Sequence, residues 1–455
     1  MEDKERSTSN VPEPTPARES QPSREKKRKK KRSRSSPEDI RARKRERRKS
    51  RKKRGSGVSL AVNADPSDKS IVRQLLFGPG QLKKMQLPTV FSLLDAPEQT
   101  SQFLDTLLAY SAAHSIRYIS FDAKGCTNIG LDALVAMSVF VLRARRRRKE
   151  KAQLNIGGSW PTDLSMQIMF KASGIPHHLG IPAADLTPEQ EKLVHRCELF
   201  SGPAVRQRFA LARQRNEATE SVRKYFDGCL RTVGFALSHK GKTRLDQLIS
   251  EVIGNAEEHG GPWHTIGHWQ ASDTVEGQRY GVCHIAMFNF GNSIYESFLT
   301  DDASPNIVEQ LRSLSDLHTK RGWFELLKGT WDEETLWTLY AMQERVSRFS
   351  RPGDTRGNGT RDIVEFFLEL GNPGKMCIVS GHAYILFDGK YRFNEIIRGN
   401  DSLKIITFNK SGTLEEPPDR EYVRRLPRPF PGTMVSIKLT LDEKYLTKLV
   451  GDNHG

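Results

Sequence analysis

From Leu245 to Gly260 the chain reads LDQLISEVIGNAEEHG, with Leu245, Leu248, Ile249, Val252, Ile253 and Ala256 recurring at helical spacing. That period predicts an amphipathic helix with one face in a core. Glu251, Asn255 and then Glu258 or His259 follow one turn apart on a second, polar stripe. A carboxylate one turn before an amide is a useful pair. The carboxylate can orient a water or a hydroxyl, and the amide oxygen can hold a hard ion such as Mg²⁺. A solvated polar face accounts for the same stripe when it is read alone.

Elsewhere the pattern alternates between strands and helices. Gln102 to Ala113 reads as a helix, and Ile116 to Asp122 alternates as a strand. Cys126 to Leu134 is a turn opening a helix that continues through Val135, Val139 and Leu142, with Arg143 to Lys149 at its C-terminal end. Ala152 to Gly158 is the next strand, and Phe170 to Gly180 contains Ala172-Ser-Gly-Ile175. Leu186 to Arg215 reads as a helical connector, and Val222 to Leu237 as a further helix. Strands are predicted around His264–Gln270, Tyr280–Phe288, Met376–Ser380, Ala383–Phe387 and Met434–Leu439, with a helix over Asp362–Leu370. This order predicts a mixed sheet with helices on one face, a two-layer α/β sandwich.

Three stretches add candidate chemistry. In Ile285-Ala-Met-Phe-Asn-Phe-Gly-Asn-Ser-Ile294 an apolar strand runs into Asn289-x-Gly291-x-Ser293, where small residues let backbone approach a ligand. Arg356-Gly-Asn-Gly-Thr-Arg-Asp-Ile-Val364 is a glycine turn feeding a helix whose N-terminal amides suit a phosphate. Phe430-Pro-Gly-Thr-Met-Val-Ser-Ile-Lys-Leu439 is a Gly-Thr turn followed by an alternating strand.

These stretches and the 245–260 helix, in this order, resemble the GHKL ATPase superfamily of gyrase, the MutL mismatch-repair ATPase, histidine kinases and anti-sigma-factor kinases, over roughly Glu217 to Leu446. The resemblance implies ATP and Mg²⁺ as ligands. It makes Asn255 the Mg²⁺ ligand and Glu251 the general base, a role that burial on the helix would favour. It places Asn289, Gly291, Ser293 and Thr433 around adenine, and Gly357, Gly359 and Thr360 beside the phosphates. Two departures stand out: Asn289 occupies the place of an adenine-reading Asp, and Ser293 that of a second glycine. They imply weakened adenine preference and slow or absent hydrolysis. The long stretch 299–355 falls where the superfamily has a mobile lid over ATP. No His-acid pair fits an autophosphorylating hairpin.

The earlier strand, turn, helix, strand, Gly-Gly, helix, Ser-Gly order resembles the STAS domain of anti-anti-sigma factors. Where those regulators carry a phosphorylatable Ser, this chain has Asn128-Ile129 before Gly130-Leu131, with Thr127 the nearest hydroxyl. A docking or structural role follows better than a phospho-switch. The expected organisation is therefore a tail over 1–57, a STAS-like domain over 58–182, a helical linker over 183–215, a GHKL-type domain over 216–447 and a short C-terminal tail over 448–455.

Composition changes this picture at the N-terminus. The formal net charge is +17, yet from Arg24 to Arg54 there are 20 Lys or Arg against 4 Asp or Glu, a surplus of 16. The rest of the chain is near neutral. The low apolar content of 1–57 predicts disorder. Its charge suits nucleic acid or another polyanion through counterion release, or simply solubilises the chain. No aromatics interleave, so base stacking is not implied. Five scattered cysteines without metal spacing read as reduced thiols in a cytoplasmic protein. No apolar run reaches about 18 residues, so no membrane span is predicted, and the first residues lack a signal-peptide core.

The leading expectation is an ATP-binding regulatory switch that meets a protein partner through the STAS-like domain or the lid. A nucleotide-dependent homodimer fits the same superfamily. The alternatives are an anti-sigma-type protein Ser/Thr kinase, with Glu251 deprotonating a protein hydroxyl, and a nucleic-acid-associated ATPase gripped by the tail.

Overall fold

The computed structural model describes residues 81–148, 154–181, 185–202, 208–258, 261–271, 281–301, 303–319, 331–343, 346, 359–369, 374–398 and 401–441. The expected tails, 1–57 and 448–455, lie outside these residues. The chain is mixed α/β.

Its first part runs β1 (Leu82–Gln86), β2 (Val90–Phe91), α1 (Pro97–Ala112), β3 (Tyr118–Asp122), β4 (Asn128–Ile129), α2 (Leu131–Arg147), β5 (Asn155–Ser159), α3 (Leu164–Ala172) and α4 (Ile175–Leu179). Strands β1, β3 and β5 form a parallel sheet in that order, and β2 pairs with β4 in parallel. Helix α1 starts five residues before the predicted point because Pro97 opens it, a residue preset for the first turn. In α2 every residue from Leu131 to Val141 is buried, so the helix is enclosed on all sides.

The arginines at its C-terminal end serve the fold. Arg145 donates to the carbonyls of Leu154 and Leu179, both at 2.8 Å. Arg148, 9% exposed, donates to the carbonyls of Ile116, Ser111 and Ala113 at 2.5, 2.6 and 2.8 Å. These two side chains satisfy buried backbone acceptors from three other segments.

The second part runs α5 (Pro188–Glu191), β6 (Val194–Gly202), α6 (Arg208–Thr232), α7 (His239–Glu258), β7 (Trp263–Ala271), β8 (Gly281–Phe290), α8 (Ile294–Phe298), α9 (Pro305–Thr319), α10 (Glu333–Tyr340), α11 (Gly359–Glu369), β9 (Gly374–Phe387), β10 (Asn394–Arg398), β11 (Asp401–Ile405) and β12 (Val423–Leu441). Five strands form one sheet in the order β6-β7-β8-β12-β9, antiparallel at every pairing, and β10–β11 is a separate hairpin.

Four expectations are corrected here. The 183–215 segment is not a helical linker throughout, because Val194–Gly202 is the edge strand β6, paired with β7. Its Val194 and Cys197 are buried while the residues between them face out. The two strands expected at 376–387 are one. Gly381, at φ +56°, lies where β12 bulges, with extra β12 residues on either side of its partner Phe430, and β9 continues through it without reversing. The sheet is antiparallel, not mixed. Finally, two layers do not describe the sheet's surroundings, because both of its faces are covered.

On one face, Trp269, Ile285, Met287, Ile378, Val435 and Ile437 pack with α6, α7, α10 and α11 through Phe226, Ile249, Trp337 and Phe366. On the other face, Ile266, Phe288, Phe290, Val379, Phe430 and Met434 join one core with α1, α2 and the small parallel sheet. Phe140 of α2 lies 5.5 Å from Phe290 and 6.2 Å from Phe430, ring to ring, and Arg143 sits 4.0 Å over the Phe290 ring. The order of layers is therefore small sheet, α1 and α2, large sheet, then the second set of helices.

The part of 299–355 described here is built into this core. Leu336, Trp337, Leu339 and Tyr340 of α10 are buried, and Trp337 meets Tyr295 and Phe298 of α8 edge-on at 5.2 and 6.5 Å. These described residues pack on the helical face of the large sheet, and 320–330 and 347–355 lie outside the described residues.

Candidate functional site

Helix α7 lies on the sheet through Leu245, Leu248, Ile249 and Ile253. Its polar stripe points elsewhere: Glu251 is exposed and Asn255 half-buried. The expected burial of Glu251 is not found. One further residue on this helix is drawn into the site. Glu257, 8% exposed, accepts the indole N–H of Trp263 at 3.1 Å and pairs with Arg215 of α6 at 3.3 Å. This link fixes the end of α7 to the start of β7.

Trp263 begins a row across the sheet. Gly202, Trp263, Asn289, Thr433 and Ser380 stand opposite one another on β6, β7, β8, β12 and β9. Strand alternation puts their side chains on the α7 face, because Met287, Val435 and Ile378, two positions along, belong to that core. Gly202 belongs in the row because a Cβ there would collide with the Trp263 indole.

Each neighbour of Asn289 already has a partner. Trp263 donates to Glu257. The Thr433 and Ser380 hydroxyls share a hydrogen bond of 2.8 Å, and Ser380 Oγ also accepts the N–H of Ile294 at 2.7 Å. Asn289 is 4% exposed, and its amide is not one of the side-chain groups sealed from water without a partner.

Ser293 caps α8. Its Oγ accepts from Glu296 N at 3.1 Å, and its own N–H donates to the Glu296 carboxylate at 2.8 Å. Gly291, half-buried, lies between Asn289 and this cap. Gly432 has φ +143°, and a Cβ there would strike the Asn289 carbonyl oxygen, so β12 comes close to β8 beside the candidate residue. At the far end of the row Glu334 of α10 accepts the N–H of His382 at 2.8 Å, and Arg425 reaches Asp332 at 3.0 Å and Glu334 at 3.5 Å. Burial pushes the Glu334 carboxyl above its ordinary range.

Of the residues expected from sequence, Asn289, Gly291, Ser293 and Thr433 come together at one end of the sheet, with Ser380 as an unforeseen fifth. Glu251 and Asn255 occupy the helix that covers that face. Gly359 and Thr360 open α11, which packs beside α7. Gly357 lies outside the described residues. Ser380 was legible only as the last residue of the predicted strand Met376–Ser380, and Glu257 was hidden by its more conspicuous neighbours Glu258 and His259.

Asn255, half-buried on α7, presents one amide oxygen, a ligand type that suits a hard ion. The Asn289 amide carries both a donor and an acceptor. Among the described residues no group of three or more His, Cys, Asp or Glu forms a metal cage. No helix of the described residues is long and apolar enough to cross a membrane. In comparisons with known proteins the chain matches no family model, no curated protein and no solved structure.

Proposed function

We propose that the chain is an ATP-binding regulatory protein of the GHKL type, with a STAS-like N-terminal unit packed on the back of its nucleotide-binding sheet. The observation that carries this reading is the row at the end of the large sheet. Asn289 and Thr433 face each other on β8 and β12, and α7, the helix bearing Glu251 and Asn255, packs on β7 and β8 beside them. The arrangement of helix, hairpin, glycine step and returning strand agrees with the order of motifs along the chain. ATP would meet Asn289 with its base, and Asn255 would hold the accompanying Mg²⁺. Magnesium then supplies charge neutralisation on the triphosphate.

The exposure of Glu251 favours one alternative. A base open to solvent can take a proton from a hydroxyl carried by a partner protein as readily as from water, which is the protein Ser/Thr kinase reading. The basic tail would add nucleic acid or another polyanion as a partner in either case.

Calorimetry with ATP and Mg²⁺ on the full chain tests the proposal. Asn255→Ala is expected to remove Mg²⁺-dependent ATP binding with the fold retained, and unchanged affinity would rule the assignment out. Glu251→Ala is expected to keep binding and to lose phosphoryl chemistry. Transfer of γ-phosphate to a protein in lysate separates the kinase from a simple ATPase.

A further inference from the structure

Five arginines fall between Arg143 and Arg148 at the end of α2, and their fates differ. Arg145 and Arg148 are committed to backbone carbonyls. Arg143 is half-buried, with its guanidinium carbon 4.0 Å over the Phe290 ring, and no carboxylate or carbonyl pairs with it among the described residues. Burial pushes it down to about 10, and Arg147 adds to the shift. Arg146, three positions along and so on the same side of the helix, is exposed and also lacks a carboxylate among the described residues. On β7, the His264 ring lies edge-on to Phe290 at 5.7 Å, near enough that both Arg143 and Arg146 act on it. Its Nδ1 shares a hydrogen bond of 2.6 Å with the Ser201 hydroxyl on β6, while its Nε2 is sealed from water without a partner among the described residues. The arginines beside that ring offer only donors, and none bonds to Nε2. That fits Nε2 as the protonated nitrogen, with Ser201 donating to Nδ1.

The junction of α2 with β7 thus gathers positive charge and hydrogen-bond donors, and among the described residues it holds no acceptor to meet them. A partly desolvated cation left in this state is unfavourable, and stacking on Phe290 offsets only part of that. We infer that this junction binds a phosphate group, with the guanidinium forks of Arg143 and Arg146 as its principal ligands and the edge of His264 behind them. A planar carboxylate carries one charge, and a single fork satisfies both of its oxygens. Two cations three residues apart on a helix repel each other. A phosphate group brings about two negative charges and enough oxygens for both forks. The site lies on the face of the large sheet opposite the Asn289 row, since Phe288 and Phe290 belong to the core shared with the N-terminal unit. It therefore stands whether or not ATP binds.

The test is calorimetric titration of the full chain with inorganic phosphate at fixed ionic strength, with chloride and acetate as comparison anions. The basic tail is present in every sample, so differences between variants report the site. Phosphate is expected to bind more tightly than either comparison anion. The His264 ring resonance, followed in histidine-labelled protein, should move with phosphate alone. Arg143→Leu and Arg146→Gln should each weaken phosphate binding about tenfold or more, the size of a lost hydrogen bond to a charged group. Arg146 is exposed and makes no hydrogen bond or ion pair among the described residues, so its variant decides the matter if Arg143→Leu does not fold. Wild-type affinity in a folded variant would overturn the inference, as would phosphate binding no tighter than chloride. Acetate binding as tight as phosphate would overturn the assignment to phosphate. Phosphoserine, titrated in the same way, separates two sources of the group: tighter binding than inorganic phosphate supports a phosphorylated ligand, and weaker binding supports the free ion.

Discussion

His284 on β8 accepts the backbone N–H of Leu131, the first residue of α2, at 3.3 Å on its Nδ1. Its Nε2 must then carry the proton, which it donates to Ser436 Oγ at 3.2 Å. The Ser436 hydroxyl lies against the buried carboxylate of Asp132, and Asp132 also accepts Leu94 N at 2.9 Å. Asp95 meets Lys438 and Lys375 at 3.2 and 3.5 Å alongside. The seam between the N-terminal unit and the large sheet thus carries a chain of polar contacts set in an aromatic core, beside which both ring nitrogens of buried His268 have no partner among the described residues.

That network requires neutral imidazoles. Burial pushes His284 and His264 down to about 3 and His268, which faces His284 across the sheet, to about 4. The nearby cations Lys438, Arg143, Arg146 and Arg196 act in the same direction, while Asp95 opposes the shift at His284. In the unfolded chain these rings bind protons below about pH 6.5, and in the folded chain they do not until about pH 4 or lower. The stability they contribute is complete above about pH 6.5. It falls as pH drops, by up to about 1.4 kcal/mol per pH unit for each ring. Urea unfolding at pH 7.5, 6.0 and 5.0 should show this slope, and His284→Gln should flatten it. A pH-independent midpoint would refute the requirement.

Gly432 and Gly389 both have positive φ, at +143° and +90°. A Cβ at Gly432 would strike the Asn289 carbonyl, whereas at Gly389 its nearest neighbour is the tip of Arg392 at 4.0 Å. Gly389→Ala is expected to cost about 1–3 kcal/mol through backbone strain alone. Gly432→Ala should cost more, because β12 must also move away from β8. Denaturant midpoints of the two variants measure the difference, and equal losses would show that the close approach is not needed.

Removing residues 1–183 should expose Phe288, Phe290, Phe430, Val379 and Met434, which now pack on the N-terminal unit. Each large apolar side chain returned to water costs about 1.5–3 kcal/mol, and a contiguous patch of this kind promotes association. Size-exclusion chromatography is expected to find the truncated chain aggregated at concentrations where full length is not. A stable, monomeric fragment would mean that the two parts fold independently.

Deleting residues 1–57 should leave nucleotide binding unchanged and sharply weaken polyanion binding, since Arg24 to Arg54 holds a surplus of 16 positive charges out of a net +17. Duplex binding by the full chain should weaken linearly with log salt, at a slope of about −0.9 per phosphate contacted, without base-sequence preference. Affinity retained within a few-fold after truncation would move the interaction to the folded part. There, Arg145 and Arg148 are already spent on backbone carbonyls.

The elements with strong periods were legible. The apolar stripe of α7, the β7–β8 pair and the last part of β12 lie where hydrophobic spacing puts them. Strand β6 was not legible, because VHRCELFSG carries charge on an edge that only partners on one side. The polar β10–β11 hairpin gave no alternation to follow. The covered second face did leave a trace in the sequence. Strand β8 is apolar at nearly every position rather than every other one, the mark of a strand buried on both sides. In the site, Asn289 and Thr433 are motif residues, but Ser380 and Glu257 acquire their places only from strand register and helix phase.

Strand β12 is shared property. Thr433, Val435, Ile437 and Leu439 serve the helical side, while Met434, Ser436 and Lys438 serve the N-terminal unit. A slip of one residue would exchange the two sets, burying Lys438 among helices and setting Ile437 against His284. Insertion or deletion of a single codon between Pro431 and Leu439 would therefore damage both halves of the molecule at once. Pairs of codons, which restore the alternation, would shift Thr433 off Asn289 yet spare the two cores. Length changes in this one strand thus offer a way to silence the candidate site while the body of the protein still assembles.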